Sequence, residues 1–486
     1  MKSEEQQAGF MQLPVAVAFV SACCLAFTIM PQPSYAATTA QTGKVPLKAR
    51  LEQVARSHTT GNTAMGNAFM GTVLVAKGDE ILLDKGYGMA NVAWDIPNAL
   101  DAKFRLGSLT KQFTAALVLL LQEDGKLRIE DPVSKYLPDA PKQWDKITLS
   151  ELLHHTSGIP NFTSFKTFMK WRMTPHTHAE ELVYFRDKPL EFKPGSKFEY
   201  SNSNYEVLGA VIEKVSGTSY GKLLQDRILK PLHMAGTGLD ADGLILPKRA
   251  QGYRYRGSEL VRARSESMTV PWAAGSMYST TPDLLRWEHA LFGGKLVSAA
   301  SLKAMTTPGK GHYGLGVEVT QRAGVKIVSH SGGIEGFNTY LAYVPARKIA
   351  VVVLGNVNGT APTVMGNQLL DVMLGKQVVL ASERKPVPLV GQDLSKFEGA
   401  YALSPDFTLT FVPNGDRLGV QANGPPLLPL LYEGMKDGHP HFYWPKLNAQ
   451  IEFISGANGT LSSIVMHANG NTQTGRRENP SANRKK

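Results

Sequence analysis

The sequence predicts an α+β fold: one antiparallel sheet, formed from both ends of a domain, packs with a helical cluster and is followed by an all-β, barrel-like module. Apolar runs at 71–76 and 81–83 flank a Lys-Gly-Asp-Glu turn, and runs at 339–344 and 349–354 flank a Pro-Ala-Arg-Lys turn. Between these hairpins, apolar residues recur at helical spacing, as at 207–215. Strands at both ends with helices between them are typical of α+β architecture.

The first 36 residues have the pattern of an export signal. An apolar stretch over 13–30 precedes a Ser-Tyr-Ala cleavage pattern, so we expect cleavage between Ala36 and Ala37. The alternatives are a membrane anchor and a lipoprotein that is cleaved at the Val-Ser-Ala-Cys run ending at Cys23. Cleavage after Ala36 removes both cysteines, which excludes disulfides, thiolate catalysis and cysteine-ligated metals. We therefore predict an exported protein, periplasmic or secreted.

The 486 residues are enough for two or three domains. Pro386 and Pro388 mark a hinge, beyond which short alternating runs separated by Asn-Gly and Asp-Gly turns predict a small β-barrel. The runs are 407–411, 418–420, 441–443, 451–453 and 461–466. The predicted segments are a signal peptide at 1–36, a linker at 37–46, a main domain at 47–380, the β module at 390–478 and a basic tail at 479–486.

Charge and histidine spacing argue against several partner classes. The net charge is +11, but the charges are scattered and no basic helix or base-stacking motif accompanies them, so we expect no nucleic-acid partner. His154 and His155 are adjacent, so their side chains tend to point in different directions, and no H-E-x-x-H pattern joins them. We expect no metal and no cofactor, and we expect both histidines to be structural.

The clearest chemical signal is the S-x-x-K pattern formed by Ser108 and Lys111 ahead of the apolar run 113–121. The spacing puts the hydroxyl and the amine on one face of a buried helix. An amine that loses its hydration loses its proton more easily and can activate the serine as a nucleophile. Free backbone N–H groups at the start of the helix further favour a developing negative charge. Ser108 is therefore the candidate nucleophile.

A second S-x-x-K pattern, Ser219 to Lys222, also lies within a G-x-S-x-G sequence that resembles a nucleophile elbow. That elbow requires a preceding buried strand, whereas the residues before Gly217 have helical periodicity. We interpret Gly217 as the end of one helix and Ser219 as the cap of the next, over 220–229.

Two further motifs supply the other groups that a serine–lysine nucleophile needs. Tyr200 and Asn202 form Y-x-N just before the predicted helix at 207–215. A tyrosine stabilised as phenolate by nearby cations can act as a general base, and the asparagine amide can both donate to and accept from a substrate peptide group. The other motif is H-S-G-G, formed by His330, Ser331, Gly332 and Gly333.

The paired glycines of H-S-G-G precede the late hairpin. Glycines on a strand edge let a substrate carbonyl approach the backbone closely. The N–H groups of Gly333 and Ser108 can then face each other as an oxyanion hole. Any one of these motifs alone is commonly structural, but S-x-x-K, Y-x-N and H-S-G-G in this order are hard to explain as structure.

With these motifs the chain resembles the serine β-lactamase and penicillin-binding-protein family, in its class C-like branch. That branch includes D-alanyl-D-alanine carboxypeptidases, D-aminopeptidases and esterases. Further likeness lies in the runs 104–107, 152–159, 230–234 and 274–280. The resemblance covers roughly residues 50–375 and implies a β-lactamase/transpeptidase-like fold for the main domain, while the final module is similar to the lipocalin-like modules of some members.

The resemblance also implies roles for the motif residues. Ser108 would be the acylated nucleophile, and Lys111 and Tyr200 would share the proton transfer. Asn202 would orient the substrate, and His330 would lie beside the Tyr200 hydroxyl. Loops at 162–186 and 253–269 are expected to shape the pocket.

One departure from the family pattern bears on the substrate. Class C β-lactamases carry lysine where this chain has His330, which we expect to be mostly neutral at pH 7. The departure resembles esterase and aminopeptidase members. We predict a serine hydrolase that acts on a small peptide, amide or ester, including D-Ala-type peptides derived from peptidoglycan. A weak β-lactamase and a non-catalytic envelope-binding or sensor protein are the alternatives, and the oligomeric state is left open.

Overall fold

The structure, a computed structural model, describes residues 45–59, 68–389, 393–404, 407–447, 449–456, 459–468 and 471–478. The predicted signal peptide with both cysteines lies outside the described residues, and so do residues 37–44 of the linker and the basic tail. Within the described residues, no helix combines the length and apolar character needed to cross a membrane.

The α-helices of the described residues all precede residue 374. They are α1 (Leu47–Ser57), α2 (Thr110–Glu123), α3 (Leu149–Leu153), α4 (Phe168–Trp171), α5 (His178–Arg186), α6 (Asn202–Ser216), α7 (Tyr220–Leu224), α8 (Trp272–Gly275), α9 (Thr281–Phe292), α10 (Ala299–Met305) and α11 (Ala361–Met373).

The strands fall into an early set, a late set and a C-terminal set. Those before the hinge are β1 (Gly71–Lys77), β2 (Glu80–Tyr87), β3 (Met89–Asn91), β4 (Ile96–Pro97), β5 (Phe104–Arg105), β6 (Gly238–Leu239), β7 (Tyr253–Arg256), β8 (Glu259–Arg262), β9 (Met277–Ser279), β10 (Glu318–Arg322), β11 (Val325–Ile334), β12 (Phe337–Val344) and β13 (Ile349–Gly355). Those after it are β14 (Gly399–Ser404), β15 (Phe407–Asn414), β16 (Arg417–Ala422), β17 (Leu428–Pro429), β18 (Leu431–Lys436), β19 (His439–Trp444), β20 (Ala449–Ser455), β21 (Leu461–Ala468) and β22 (Asn471–Arg477).

The main sheet has the order β10-β11-β12-β13-β1-β2, with every neighbouring pair antiparallel. β1 and β2 form the early predicted hairpin, and β12 and β13 form the late one. The two hairpins join through β1 and β13, where Val73 lies opposite Val353. The prediction of one antiparallel sheet formed from both ends of the domain is confirmed.

The central strand β1 faces a different core on each side of the sheet because successive side chains of a strand alternate. Val73 and Val75 pack with residues of α1 and α11. Leu74 and Ala76 pack with the larger core around α2. All four side chains are fully buried, which explains why the strand is a continuous apolar run in the sequence.

Helix α2 is buried along almost its whole length, from Thr110 to Leu121. A helix that is apolar all round requires protein on every side. The three-stranded sheet β5-β9-β6 supports the turn before it, where the Leu106 N–H donates to the Met277 carbonyl at 2.8 Å. Ser108 is thus held by a buried element rather than by a free loop.

The C-terminal strands form a nine-stranded antiparallel sheet in the order β17-β16-β15-β14-β22-β21-β20-β19-β18. Its two edge strands, β17 and β18, are neighbours in sequence, so the sheet curls into a nearly closed barrel. The barrel has a core of its own, which includes Phe411, Phe442 and Phe453. The predicted barrel-like module is confirmed, and β14, β17, β18 and β22 are strands that the sequence patterns did not indicate.

The segment predicted as a hinge is attached to the barrel. The Val387 N–H donates to the Tyr432 carbonyl at 2.8 Å. Arg384 forms an ion pair with Glu433, and its guanidinium stacks 3.6 Å from the centroid of the Tyr443 ring. The segment that contains Pro386 and Pro388 is therefore held against the strands of the barrel.

Candidate active site

Ser108 lies where a short 3-10 turn, Gly107–Leu109, leads into α2. Gly107 has a φ of +56°, and a Cβ at this position would lie 2.8 Å from the backbone nitrogen of Gly333. Glycine fits here because both the positive φ and the close approach disfavour a side chain. The turn therefore places Ser108 against the end of β11.

Lys111 is buried on the first turn of α2. Its Nζ lies 3.1 Å from Ser108 Oγ, 2.9 Å from Asn202 Oδ1 and 2.8 Å from the Ala274 carbonyl oxygen. Burial lowers the pKa of Lys111 to about 7, while the nearby Glu206 opposes the shift. A substantial share of Lys111 is therefore neutral amine at neutral pH.

Tyr200 lies in a group of aromatic rings beside the lysine. Its ring centroid is 4.2 Å from that of His155 and 6.2 Å from that of Tyr313, and Lys111 Nζ lies 5.0 Å from it. Burial raises the pKa of Tyr200, and the Ser108 hydroxyl opposes the rise. The neutral phenol is the favoured form, so Lys111 is the better candidate for the initial base.

Asn202 is the first residue of α6, and its amide orientation is fixed by three partners. Its Nδ2 donates to Asn161 Oδ1 at 3.3 Å and to Thr163 Oγ1 at 3.2 Å. Its Oδ1 is then turned toward Lys111 Nζ. Asn202 also lines the cavity in front of Ser108, where a substrate would lie.

His330 lies on β11 with its ring centroid 6.3 Å from that of Tyr200. Its Nδ1 is 2.6 Å from the Ser331 carbonyl, which can only accept, so Nδ1 carries the proton and Nε2 accepts from the Tyr313 hydroxyl at 2.8 Å. Burial, and then the Lys111 charge, lower the pKa of His330 to about 4. Its direct partner is thus Tyr313, and the expected neutral state of His330 agrees with this environment.

The remaining H-S-G-G residues differ in where they lie. Gly333 lines the cavity with Ser108. Gly332 packs against the backbone, since a Cβ there would lie 2.0 Å from the Leu106 carbonyl oxygen. Ser331 is not among the residues that line the cavity, and its carbonyl accepts from His330. The site therefore brings the Ser108 and Gly333 backbones together and uses Gly332 as a spacer.

The cavity in front of Ser108 has a volume of about 380 Å³. Phe162, Phe168 and Val270 give it apolar walls, and they come from or directly follow the two loops that were expected to shape the pocket. Its charged lining residues are Arg172, Glu266 and Glu335. The size is suited to a small acyl group rather than to a long chain.

His154 and His155 have separate structural partners. His155 Nδ1 accepts from the Ser201 N–H at 3.2 Å, which fixes the loop that carries Tyr200. His154 Nδ1 donates to the Ser150 carbonyl at 3.0 Å. Within the part of the chain that the structure describes, no three His, Cys, Asp or Glu side chains are grouped in a way that could hold a metal.

Three kinds of site residue were not predicted. Tyr313 had no motif that could identify it, and the charged wall residues are far apart in sequence. Glu206 did leave a signal, because it interrupts the apolar face of α6 and is buried in the structure. Burial raises the pKa of Glu206 well above its ordinary value, and the charge of Lys111 opposes the rise.

The second S-x-x-K pattern has the structural role that its periodicity predicts. Gly217 ends α6 with a φ of +70°, and the Ser219 side chain accepts from the Lys222 N–H as the cap of α7. The helix continues as a π-helical turn over Gln225–Leu229. No strand precedes Ser219 in this part of the described chain, so the elbow interpretation is excluded.

Comparison with known proteins identifies the family. The family model described as Beta-lactamase matches residues 59–372. The chain belongs to the β-lactamase family. The matched residues include all three motifs of the candidate site.

Relatives of this β-lactamase family member include penicillin-binding proteins and an amidohydrolase. Penicillin-binding protein 4* of Bacillus subtilis is 27% identical over 432 residues, covering 82% of this chain and 92% of the relative. The octameric penicillin-binding protein homologue from Pyrococcus abyssi is 26% identical with a TM-score of 0.60, covering 83% of this chain and 95% of that chain. The D-stereospecific amidohydrolase from a Streptomyces species is 26% identical with a TM-score of 0.56, covering 63% and 94%. The predicted β-lactamase/transpeptidase-like fold is confirmed.

Proposed function

We propose that this β-lactamase family member is an exported serine hydrolase that cleaves amide or ester bonds through an acyl-enzyme on Ser108. The observation that carries the proposal is the surroundings of Lys111 Nζ. Asn202 Oδ1 and the Ala274 carbonyl can only accept hydrogen bonds. A neutral amine donates its two hydrogens to them, which leaves its lone pair for the Ser108 hydroxyl at 3.1 Å.

In the proposed acylation, Ser108 Oγ attacks the substrate carbonyl carbon while its proton passes to Lys111. The Ser108 and Gly333 N–H groups stabilise the oxyanion, each typically contributing about 10²–10³ in rate. The proton then reaches the leaving nitrogen or oxygen through the Tyr200 hydroxyl, and the C–N or C–O bond breaks. Asn202 Oδ1 accepts from the substrate amide N–H with its second lone pair, because both Nδ2 hydrogens are bound to Asn161 and Thr163.

In the proposed deacylation, water adds to the acyl carbon and gives a proton to Lys111 and Tyr200. The same pair returns a proton to Ser108 Oγ as the acyl–oxygen bond breaks, which releases the acid and restores the enzyme. The reaction consumes one water and needs no other reactant. His330 remains neutral throughout because burial disfavours its charged form.

The proposed substrates are D-Ala-type peptides, D-amino-acid amides and carboxylic esters. Similarity to a D-stereospecific amidohydrolase supports amide hydrolysis. The neutral His330 supports acyl donors that do not need a cation at this position, in contrast to the lysine of class C β-lactamases. We therefore expect β-lactams to acylate Ser108 slowly and to be poor substrates.

The export part of the proposal rests on the sequence of residues 1–36. Expression in a bacterial host followed by intact-mass measurement of the protein outside the cytoplasm should give a chain that begins at Ala37. A lipid-modified chain that begins at Cys23 would support the lipoprotein alternative. Full-length protein confined to the cytoplasm would contradict export.

The catalytic part is tested by hydrolysis of p-nitrophenyl acetate, since activated esters need little pocket complementarity. Turnover by the wild type and loss to background in Ser108→Ala support the proposal. Ser219→Ala is the matched control, because that serine also heads an S-x-x-K pattern but caps α7. Equal activity in wild type and Ser108→Ala would contradict the nucleophile, and no wild-type turnover would favour the non-catalytic alternative.

A further inference from the structure

The charged wall of the cavity is formed by residues that the catalytic steps do not use. Arg172, Glu266 and Glu335 line the cavity that Ser108 faces. The side chains of Glu266 and Arg172 are only 6% and 11% exposed, and that of Glu335 only 12%. Burying three ionised groups costs free energy unless each is compensated. The two carboxylates differ in how many cations and hydrogen-bond donors contact them.

Glu335 is the better-compensated carboxylate. Its Oε2 contacts Arg172 Nη2, and its Oε1 accepts from the Arg264 N–H at 3.3 Å and lies 3.7 Å from Arg254 Nε. Two guanidinium groups and one backbone donor thus surround one carboxylate. These partners compensate the negative charge of Glu335, so this carboxylate is a poor candidate for binding a cationic ligand.

Glu266 has less compensation. Its Oε2 accepts from the Glu335 N–H at 3.3 Å and lies 3.5 Å from Arg172 Nη2, which is already bound to Glu335. Its Oε1 receives no hydrogen bond from the residues that the structure describes. The carboxylate therefore presents one unpaired oxygen, at a side chain more than nine-tenths buried, on the wall of the substrate cavity.

The charge balance of the wall selects the sign of the ligand. Glu266 and Glu335 share the Arg172 guanidinium, and Arg254 lies beside Glu335 rather than Glu266, so Glu266 is the carboxylate that lacks a cation of its own. A substrate carboxylate would meet Arg172 only beside these two anions, so its entry is opposed. A primary ammonium supplies both the missing positive charge and hydrogen-bond donors for Glu266 Oε1.

We propose that Glu266 binds a primary ammonium on the acyl portion of the substrate, which makes amino-acid amides, peptide amino ends and amino-acid esters with a free amine the preferred substrates. The inference rests on the proposed function and narrows its substrate class. The apolar walls at Phe162, Phe168 and Val270 accommodate the amino-acid side chain. Within this proposal Glu266 determines specificity and takes no part in bond cleavage.

The test compares three acyl donors that differ only at the amine: D-alanine p-nitroanilide, its N-acetyl derivative and its N-succinyl derivative. The L-enantiomers are measured in parallel. The expected kcat/KM of the wild type is about 10- to 100-fold higher for the free amine than for the acetylated form, and lowest for the succinyl form, which carries a carboxylate.

Glu266→Gln should remove most of this preference, mainly through KM, while Glu266→Asp should retain part of it. Glu433→Gln is the matched control, because Glu433 also belongs to a buried Arg–Glu pair but lies in the barrel. Hydrolysis of p-nitrophenyl acetate, which has no amine, should be unchanged in Glu433→Gln, and thermal unfolding of each variant shows whether it is folded.

Equal kcat/KM for the free-amine and acetylated substrates, or a preference that is unchanged in Glu266→Gln, would overturn the inference. Failure to hydrolyse any of the anilides, with p-nitrophenyl acetate still turned over, would overturn it as well. In these cases the serine hydrolase proposal stands. Absence of p-nitrophenyl acetate turnover in the wild type would instead contradict the proposed function.

Discussion

Burial acts on Lys111 and His330 in the same direction, because an ionised base loses its hydration in a protein interior. It lowers the pKa of Lys111 to about 7 and that of His330 to about 4. The Lys111 charge adds to the shift at His330, so the pocket disfavours holding both cations. The free enzyme near neutral pH therefore has a neutral imidazole and a readily deprotonated amine beside Ser108.

This environment predicts the pH profile of turnover. Below about pH 7 Lys111 is protonated and has no lone pair, so kcat/KM for p-nitrophenyl acetate should fall about tenfold per pH unit. Above that pH the amine is neutral and the profile should level off. Initial rates from pH 5 to 9 measure this, and a profile that is flat across pH 7 would contradict Lys111 as the base.

The two S-x-x-K lysines provide a matched pair for the same prediction. Lys111→Met should reduce kcat by about 10²–10⁴-fold, which is the usual range for loss of a general base. Lys222→Met should leave kcat within about twofold, because that lysine is exposed and pairs with Asp226 on the surface. A similar loss in both variants would indicate a general effect on folding rather than loss of a base.

At the scale of elements, the catalytic geometry depends on the contact between the turn before α2 and the end of β11. Gly107→Ala would place a methyl group 2.8 Å from the Gly333 nitrogen. We expect it to displace that N–H from the oxyanion hole and lower kcat for p-nitrophenyl acetate by about 100-fold. Steady-state kinetics and urea unfolding of the same preparation give both quantities.

Gly125→Ala is the control that separates the effect of a non-glycine residue at positive φ from the effect of the contact between Gly107 and Gly333. Gly125 follows α2 with a φ of +70°, but a Cβ there would meet nothing within 4 Å. This variant should lose about 1 kcal/mol of unfolding free energy, as expected for a non-glycine residue at positive φ, and keep its kcat. If Gly107→Ala behaved in the same way, the proposed dependence on the Gly333 contact would be wrong.

The elements that the sequence predicted are those with a strong local pattern. The strands β1, β12 and β13 have continuous apolar runs because both of their faces are buried, and α6 has helical periodicity closed by Gly217. By contrast, the two-residue strand Phe104–Arg105 exists only through its pairing with β9, which lies about 170 residues later. Such a pairing produces no periodic pattern in the local sequence, so the strand could not be predicted from it.

The candidate site shows the same division between local and distant information. Ser108 and Lys111 are three residues apart, so one helical turn places them together. Tyr313 and His330 meet through the folding of separate segments, and Arg172 meets Glu335 across 163 positions. Side-chain pairs at such separations follow from tertiary packing. The motifs therefore predicted the candidate reacting groups, and the loops at 162–186 and 253–269 were expected around the pocket, but Tyr313 and the individual charged residues of the cavity wall were not predicted.

For the whole molecule, the barrel and the catalytic part have separate hydrophobic cores. The core of the barrel includes Phe453, whose ring contacts are all with aromatic residues after the hinge. One connection between the two parts is the Thr360 hydroxyl, which donates to the Lys446 carbonyl at 2.8 Å. Separate cores are expected to lose their packing in separate transitions.

Phe453→Ala should therefore destabilise the barrel without disabling the site. Removal of a fully buried phenylalanine typically costs about 3–5 kcal/mol, and the cavity would lie within the barrel core. We expect calorimetry to show one transition moved to lower temperature, while p-nitrophenyl acetate hydrolysis at 25 °C stays within about twofold of the wild type.

Phe113→Ala is the counterpart in the catalytic part, since Phe113 of α2 stacks on Trp287 with ring centroids 4.0 Å apart. It should move the other transition to lower temperature and also reduce turnover. Loss of turnover in Phe453→Ala, at a temperature where the catalytic transition has not begun, would mean that Ser108 needs the intact barrel for its reaction.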